Sequence, residues 1–197
     1  MPKKIPHLQI ILASTSPRRK GLLGLTGLKF KAIAPDYEED MTLKLPPKKL
    51  AAYLSMGKAQ AVAKKYKNAL VIAGDTFVVL SNKVMGKPKD KKEAEKMLRS
   101  LSGRQHSVLT GMALVRYSQK KRYSIVVETK VHFKKLSSRE IAGYLSRDEW
   151  KGAAGSYAIQ GLADMFLEKL EGEYSNIVGL PVGSLIKGLE RFGVNVF

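Results

Sequence analysis

Apolar residues arrive along this chain in two rhythms, short uninterrupted runs and stripes with a helical repeat. Residues 8–13, Leu8-Gln9-Ile10-Ile11-Leu12-Ala13, form an apolar run of strand length that stops at Ser14-Thr15-Ser16-Pro17. Ser16 is placed to cap a helix whose first position is Pro17, where the missing N–H costs nothing. Leu22, Leu23 and Leu25 supply its inward face, and Gly27 ends it. Residues 30–35 read as a second strand, leading into the acidic loop Asp36-Tyr37-Glu38-Glu39-Asp40. After Pro46-Pro47, the spacing of Leu50, Leu54, Ala61 and Val62 predicts a long helix reaching about Tyr66.

Further along, residues 69–74 read as a buried strand with Asp75 at its end, and residues 77–80 and 83–85 as a hairpin around Ser81-Asn82. Asp90 with Glu93 opens a helix whose inward stripe is Ala94, Met97, Leu98 and Leu101, stopped by Gly103. Two long β segments, residues 105–117 and 123–134, flank the polar turn Ser118-Gln119-Lys120. Ser137 with Glu140 starts a helix through Ile141, Tyr144 and Leu145. Residues 152–161 are glycine-rich, and residues 165–170 resemble a strand. Pro181 then opens a last helix with Leu185, Ile186 and Leu189 inward. Strands and helices mix without a strict βαβ alternation. The expected class is therefore α/β, a mixed twisted central sheet flanked by helices. No repeat or low-complexity linker divides residues 1–197, so one domain is expected.

Composition removes several function classes. The chain has no cysteine, which excludes disulfides and zinc–thiolate sites. No apolar run approaches the roughly 18 residues of a membrane-spanning helix. Met1-Pro2-Lys3-Lys4 lacks the apolar segment of a signal peptide, so a cytoplasmic location without a membrane partner is expected. The net charge of +18, from 35 Lys+Arg against 17 Asp+Glu, biases the protein toward polyanions. Its basic residues are scattered in small groups such as Lys48-Lys49, Lys64-Lys65, Lys134-Lys135 and Lys120-Lys121-Arg122. There is no basic tail, zinc-finger spacing or aromatic RNA-binding signature. The scatter favours solubility or thermal adaptation over nucleic-acid binding, so nucleic acid is not the expected partner.

Several short segments carry chemistry. At Ser14-Thr15-Ser16-Pro17-Arg18-Arg19 a strand meets a helix start, an end that favours anions. Two arginines there oppose the helix dipole, a cost that makes sense if they meet phosphate. Asp75, beside Thr76, suits a metal ligand or a proton acceptor, and taken alone it also fits a turn or helix-cap residue. Gly86-Lys87-Pro88 presents a lysine from a stiffened loop. Lys58 falls within the arc of Ala51, Leu54, Ala61 and Val62, where it either snorkels to water or meets an anion. The acidic loop offers oxygen ligands for a divalent cation. His7, His106 and His132 lack ligand spacing and are expected to hold no metal. No serine-hydrolase elbow or Walker loop is present.

In this order the segments resemble the Maf family of nucleoside triphosphate pyrophosphatases. The likeness rests on residues 12–19, the loop containing Glu38, Lys58-Ala59-Gln60-Ala61, Gly74-Asp75-Thr76 and Gly86-Lys87-Pro88. It continues through residues 101–108, Ala154-Gly155-Ser156-Tyr157-Ala158-Ile159-Gln160-Gly161 and residues 175–181. The resemblance implies a two-lobed, ITPase-like fold with a cleft, and hydrolysis of a nucleoside triphosphate to monophosphate and pyrophosphate. It also implies a divalent metal (Mg, Mn or Co) and a homodimer. By position, Asp75 matches the proton acceptor and a metal ligand, and Glu38 a carboxylate near the metal. Arg18, Lys58 and Lys87 match phosphate-contacting cations. Arg18, Thr76 and Gln160 match positions of substrate choice, and Ser14, Ser16 and Arg19 complete the expected binding set. The Ile-Gln-Gly form looks like the branch acting on dTTP and UTP. Two alternatives stay open: a 7-methyl-GTP-type or broad-range pyrophosphatase, and a basic protein binding nucleic acid or the division machinery.

Overall fold

A single seven-stranded sheet organises the described residues, in the order β2-β1-β3-β5-β6-β7 with β4 added to β3. The computed structural model describes residues 8–40 and 43–197, so the readings placed on His7 and on Met1-Pro2-Lys3-Lys4 lie outside it. In chain order the elements are β1 (Ile10–Ala13), α1 (Pro17–Gly24), β2 (Phe30–Ile33), α2 (Pro47–Lys65), β3 (Leu70–Leu80) and β4 (Lys83–Met85). They continue with α3 (Lys91–Leu101), β5 (Gln105–Arg116), β6 (Lys121–Phe133), α4 (Ser138–Leu145), β7 (Leu167–Glu171), α5 (Tyr174–Val178) and α6 (Val182–Glu190). The sheet is mixed: β1 runs parallel to β2 and β3, and every other pairing is antiparallel. This is the expected α/β class.

Alternation along the strands divides the interior into two faces. Ile11, Ala13, Val71, Ala73, Ala113 and Val115 face α2 and meet its Ala59, Val62 and Ala63. Ile10, Leu12, Ile72, Met112 and Leu114 face a larger core shared with Leu98, Leu101, Ile141, Phe166, Leu185 and Leu189. Small residues on α2 let it lie almost against the sheet. A Cβ added at Gly111 would stand 2.0 Å from the carbonyl oxygen of Ala51.

Local signals placed most helix starts. Ser16 caps α1 by accepting from Arg19 N, Asp90 caps α3, and Ser137 with Glu140 makes a reciprocal capping box on α4. Four details differ from expectation. Leu25 is 77% exposed, because α1 ends at Gly24 and leaves it beyond the inward face. Residues 162–166 form a 3₁₀ turn, so β7 starts only at Leu167. Pro181 precedes α6 rather than opening it.

The fourth concerns Asp75, which stands inside a strand rather than at a strand's end. The ladder to β5 runs unbroken from Val71↔Val115 to Val79↔Ser107, with Asp75 opposite Gly111. Gly-Asp reads locally as a turn, but Thr76, Phe77, Val78 and Val79 are strand formers, and cross-strand pairing overrides the local signal. The other edge of β3 is discontinuous. It pairs with β1 at Leu70, Val71 and Ile72 and with β4 at Val78, Val79 and Leu80. Residues 73–77 between them have no strand on that edge, and a cleft opens there.

Replacing Gly111 by alanine should therefore lift α2 off the sheet. Overpacking of this kind costs about 1–3 kcal/mol, and the expected outcome is a lowered denaturation midpoint with weakened nucleotide binding. An unchanged midpoint in urea titration would contradict this packing.

Candidate active site

The gap in β3 exposes both faces of the strand to one cleft of ≈ 890 Å³, a size usual for small-molecule sites. Its walls bring together Ser14, Ser16, Arg18, Arg19, Lys58, Asp75, Thr76, Lys87 and Gln160. These come from the β1–α1 turn, the first turn of α1, α2, β3, the loop after β4 and the glycine-rich segment, so the chain folds widely spaced residues into one place. Glu38 is not on the wall and is exposed. Its neighbour Glu39 lines the cleft instead.

On the α2 side, Asp75 follows Val71 and Ala73 in the alternation of β3 and so points at α2. Lys58, 7% exposed on that helix, binds Oδ1 of Asp75, itself 6% exposed, and reaches Glu39 at 2.9 Å. The lysine on the apolar arc thus meets anions rather than snorkelling. Oδ2 of Asp75 is buried and has no hydrogen-bond partner. The acidic loop is laid along α2 by Tyr37, whose ring occupies the space a Cβ at Gly57 would need, at 2.3 Å. The same loop sends Asp36 to Lys65 at 2.9 Å.

On the opposite face, Arg19 is bound on three sides. Its Nε donates to Gly179 O at 2.9 Å, Nη2 to Thr76 Oγ1 at 3.2 Å and Nη1 to Ser14 Oγ at 3.5 Å. Burial lowers its pKa from the ordinary 12.5, while Asp75 and Glu39 act in the opposite sense. Thr76 also shares a 2.9 Å hydrogen bond with Thr110, whose hydroxyl lies 3.1 Å from Asn176 O. Asn176, fully buried, donates to Val108 O and to Thr129 Oγ1, each at 3.0 Å. This network locks the residue 175–179 turn to the sheet, so Arg19 acts as a frame. Arg18 is less encumbered, its Nη2 donating to Gly152 O at 2.9 Å. Lys87 is exposed on its loop.

The glycine-rich segment forms the remaining wall. Ala158 N donates to Tyr144 Oη at 3.0 Å, and Tyr157 Oη pairs with His106 Nε2 at 2.8 Å. Gln160 is exposed at the end of this wall. Sequence reading passed over two groups here. Lys151 lines the cleft and is held by a 2.8 Å pair with Asp148 across three residues, both largely exposed. His106 orients Tyr157, and its burial was hidden because a lone histidine in a strand gives no periodic signal. Among the described residues no group of three or more His, Asp or Glu is arranged to hold a metal.

Burial lowers the His106 pKa from 6.5 to about 4. The unfolded chain therefore binds a proton first, and stability present above pH 6.5 is lost as pH falls toward about 4, by about 3 kcal/mol in all. His106→Gln should flatten that part of the stability–pH curve. An equal slope in both proteins would remove His106 as its source.

The chain matches the family model "Maf-like protein" over residues 9–192. A dTTP/UTP pyrophosphatase of Thermoanaerobacter sp. (strain X514) is 47% identical over 185 residues, covering 93% of this chain and 96% of that protein. A dTTP/UTP pyrophosphatase of Pelotomaculum thermopropionicum is 44% identical over 188 residues, covering 95% and 98%. Among solved structures, the Staphylococcus aureus Ham1 protein aligns with a TM-score of 0.47 and 16% identity, over 64% of this chain and 71% of that one.

Proposed function

The chain belongs to the Maf family, and on that premise we propose that it hydrolyses dTTP and UTP to the monophosphate and pyrophosphate. The observation that carries this reading is the convergence of Asp75, Lys58, Arg18, Lys87 and Gln160 on one cleft. The two pyrophosphatases that match across nearly their whole length support the choice of substrate.

In the reaction, water attacks the α-phosphorus, the bond to the bridging oxygen breaks, and pyrophosphate leaves. Lys58 holds Oδ1 of Asp75, so the unpartnered Oδ2 is the atom that takes the proton from water. Arg18, Lys87 and Lys151 offset charge on the phosphates, together with the N-terminal end of α1. Two of the amides at that end are already engaged, Ser16 N by Ser14 Oγ and Arg19 N by Ser16 Oγ. The hydroxyls of Ser14 and Ser16 therefore shape the phosphate end more than they leave it open. Gln160 offers one donor and one acceptor, matching the N3–H and carbonyl edge of uracil or thymine. A purine edge leaves that pairing unmade.

Two carboxylates, Glu39 and Asp75 with its orphaned Oδ2, fit a hard divalent cation whose other ligands are water and substrate phosphate. Asp75 and Glu39 would hold Mg, Mn or Co, while Glu38, exposed and off the cleft wall, is not placed to join them. Such an ion supplies charge neutralisation on the triphosphate.

Pyrophosphate release measured across dTTP, UTP, CTP, purine triphosphates and 7-methyl-GTP, with each metal, tests the reading. Turnover should be highest with dTTP and UTP. Activity on 7-methyl-GTP alone would overturn the substrate assignment. Asp75→Asn should lower kcat by about 10²–10⁴-fold with the fold retained by circular dichroism. A fully active variant would refute Asp75 as the base.

A further inference from the structure

Away from the cleft, the fold gathers cations that are scattered in sequence. One row across the sheet reads Lys31–Ile11–Val71–Val115–Arg122, strand by strand from β2 to β6. Its apolar middle belongs to the cluster that includes Val62 and Ala63 of α2, and its charged ends are exposed. Four inter-strand spacings separate those ends, about 19 Å. Beyond the middle of the row, α2 finishes in Lys64-Lys65 and runs on as Tyr66-Lys67. Ser118 N donates to Lys67 O at 2.8 Å, which fastens the Tyr117–Gln119 turn beside the helix end. Lys120 follows with left-handed backbone, φ 52°. Two aromatic rings stand in this basic field: Tyr66 is 39% and Tyr117 44% exposed.

Of Lys31, Lys64, Lys65, Lys67, Lys120 and Arg122, only Lys65 has a carboxylate partner among the described residues, Asp36. Complementing the dipole at the end of α2 accounts for Lys64 and Lys65. It does not account for the other four, which come from β2, the turn after α2, the turn before β6 and β6 itself. Like charges held together repel, and a polyanion relieves that repulsion. A phosphate chain alone would need only the cations. Exposed aromatic faces among them add a surface on which unpaired bases stack.

We propose that this end of the sheet docks single-stranded nucleic acid, its phosphates meeting the cations and its bases stacking on Tyr66 and Tyr117. Val71 lies four residues from Asp75 along β3, about 13 Å, so the surface uses none of the catalytic groups. It stands whether or not the cleft acts on dTTP.

Fluorescence anisotropy on the full chain tests this, using labelled oligo(dT) and oligo(U), a duplex of equal length, and phosphatidylserine vesicles. Both single strands should bind, about fifty-fold more weakly at 200 than at 50 mM salt if about four phosphates are neutralised. Tyr66→Ala with Tyr117→Ala should weaken binding about tenfold or more, and Lys67→Glu with Lys120→Glu should flatten the salt slope. Both doubles should keep the parent melting curve, since the altered side chains are exposed. No binding at low salt, indifference to the tyrosine pair, or equal binding of duplex or vesicles would overturn the proposal.

Discussion

A strand longer than the two that flank one of its edges creates this site. β3 runs eleven residues, while the strands along one of its edges cover only its two ends. The uncovered middle keeps its ladder to β5, so it is held rigidly even though one edge is open. That combination is rare in a sheet interior, where both edges are normally paired. It lets side chains of opposite orientation, Asp75 toward α2 and Thr76 toward α1, share a single cavity. Gly111, facing Asp75 across the ladder, is part of the same arrangement. Without a side chain there, α2 comes down far enough for Lys58 to reach the carboxylate.

The two sides of the cleft are electrostatically different. On one side a buried lysine is shared between Asp75 and Glu39. Removing either partner from a buried pair typically costs about 3–5 kcal/mol, so Asp75, the proposed base, is also a structural element. On the other side Arg19 is committed to Ser14, Thr76 and the Gly179 carbonyl. Its neighbour Arg18 and the lysines at residues 87 and 151 are exposed or held by single contacts, and can turn to a triphosphate at little cost. Adjacent arginines that look alike in sequence thus divide the work, one building the site and one serving it.

The glycine-rich wall of the cleft is held from behind. Tyr157 and Ala158 are fixed by His106 and Tyr144, which stand on β5 and α4. Burial leaves the His106–Tyr157 contact uncharged at neutral pH, which suits a fixed support for the segment that ends in Gln160.

Sequence alone determined the class of the fold, most element positions and nearly all the members of the cleft. The class and element positions follow from local signals, apolar runs and capping residues; the cleft members come partly from charged motifs and, for Gln160, from the family resemblance alone. It also placed Lys58 correctly on an apolar face, because helical periodicity is a local property. Tertiary structure decided the rest. Asp75 looked like a strand end because Gly-Asp is a turn signal, and only the long ladder to β5 shows the strand continuing. Glu38 and Glu39 cannot be told apart by composition. The packing of Tyr37 on Gly57 sets which of them faces Lys58. The basic residues looked dispersed because charge along a chain carries no record of which strands will lie side by side. Pairing in the sheet set Lys31 and Arg122 in one row, and no local property of either residue encodes it.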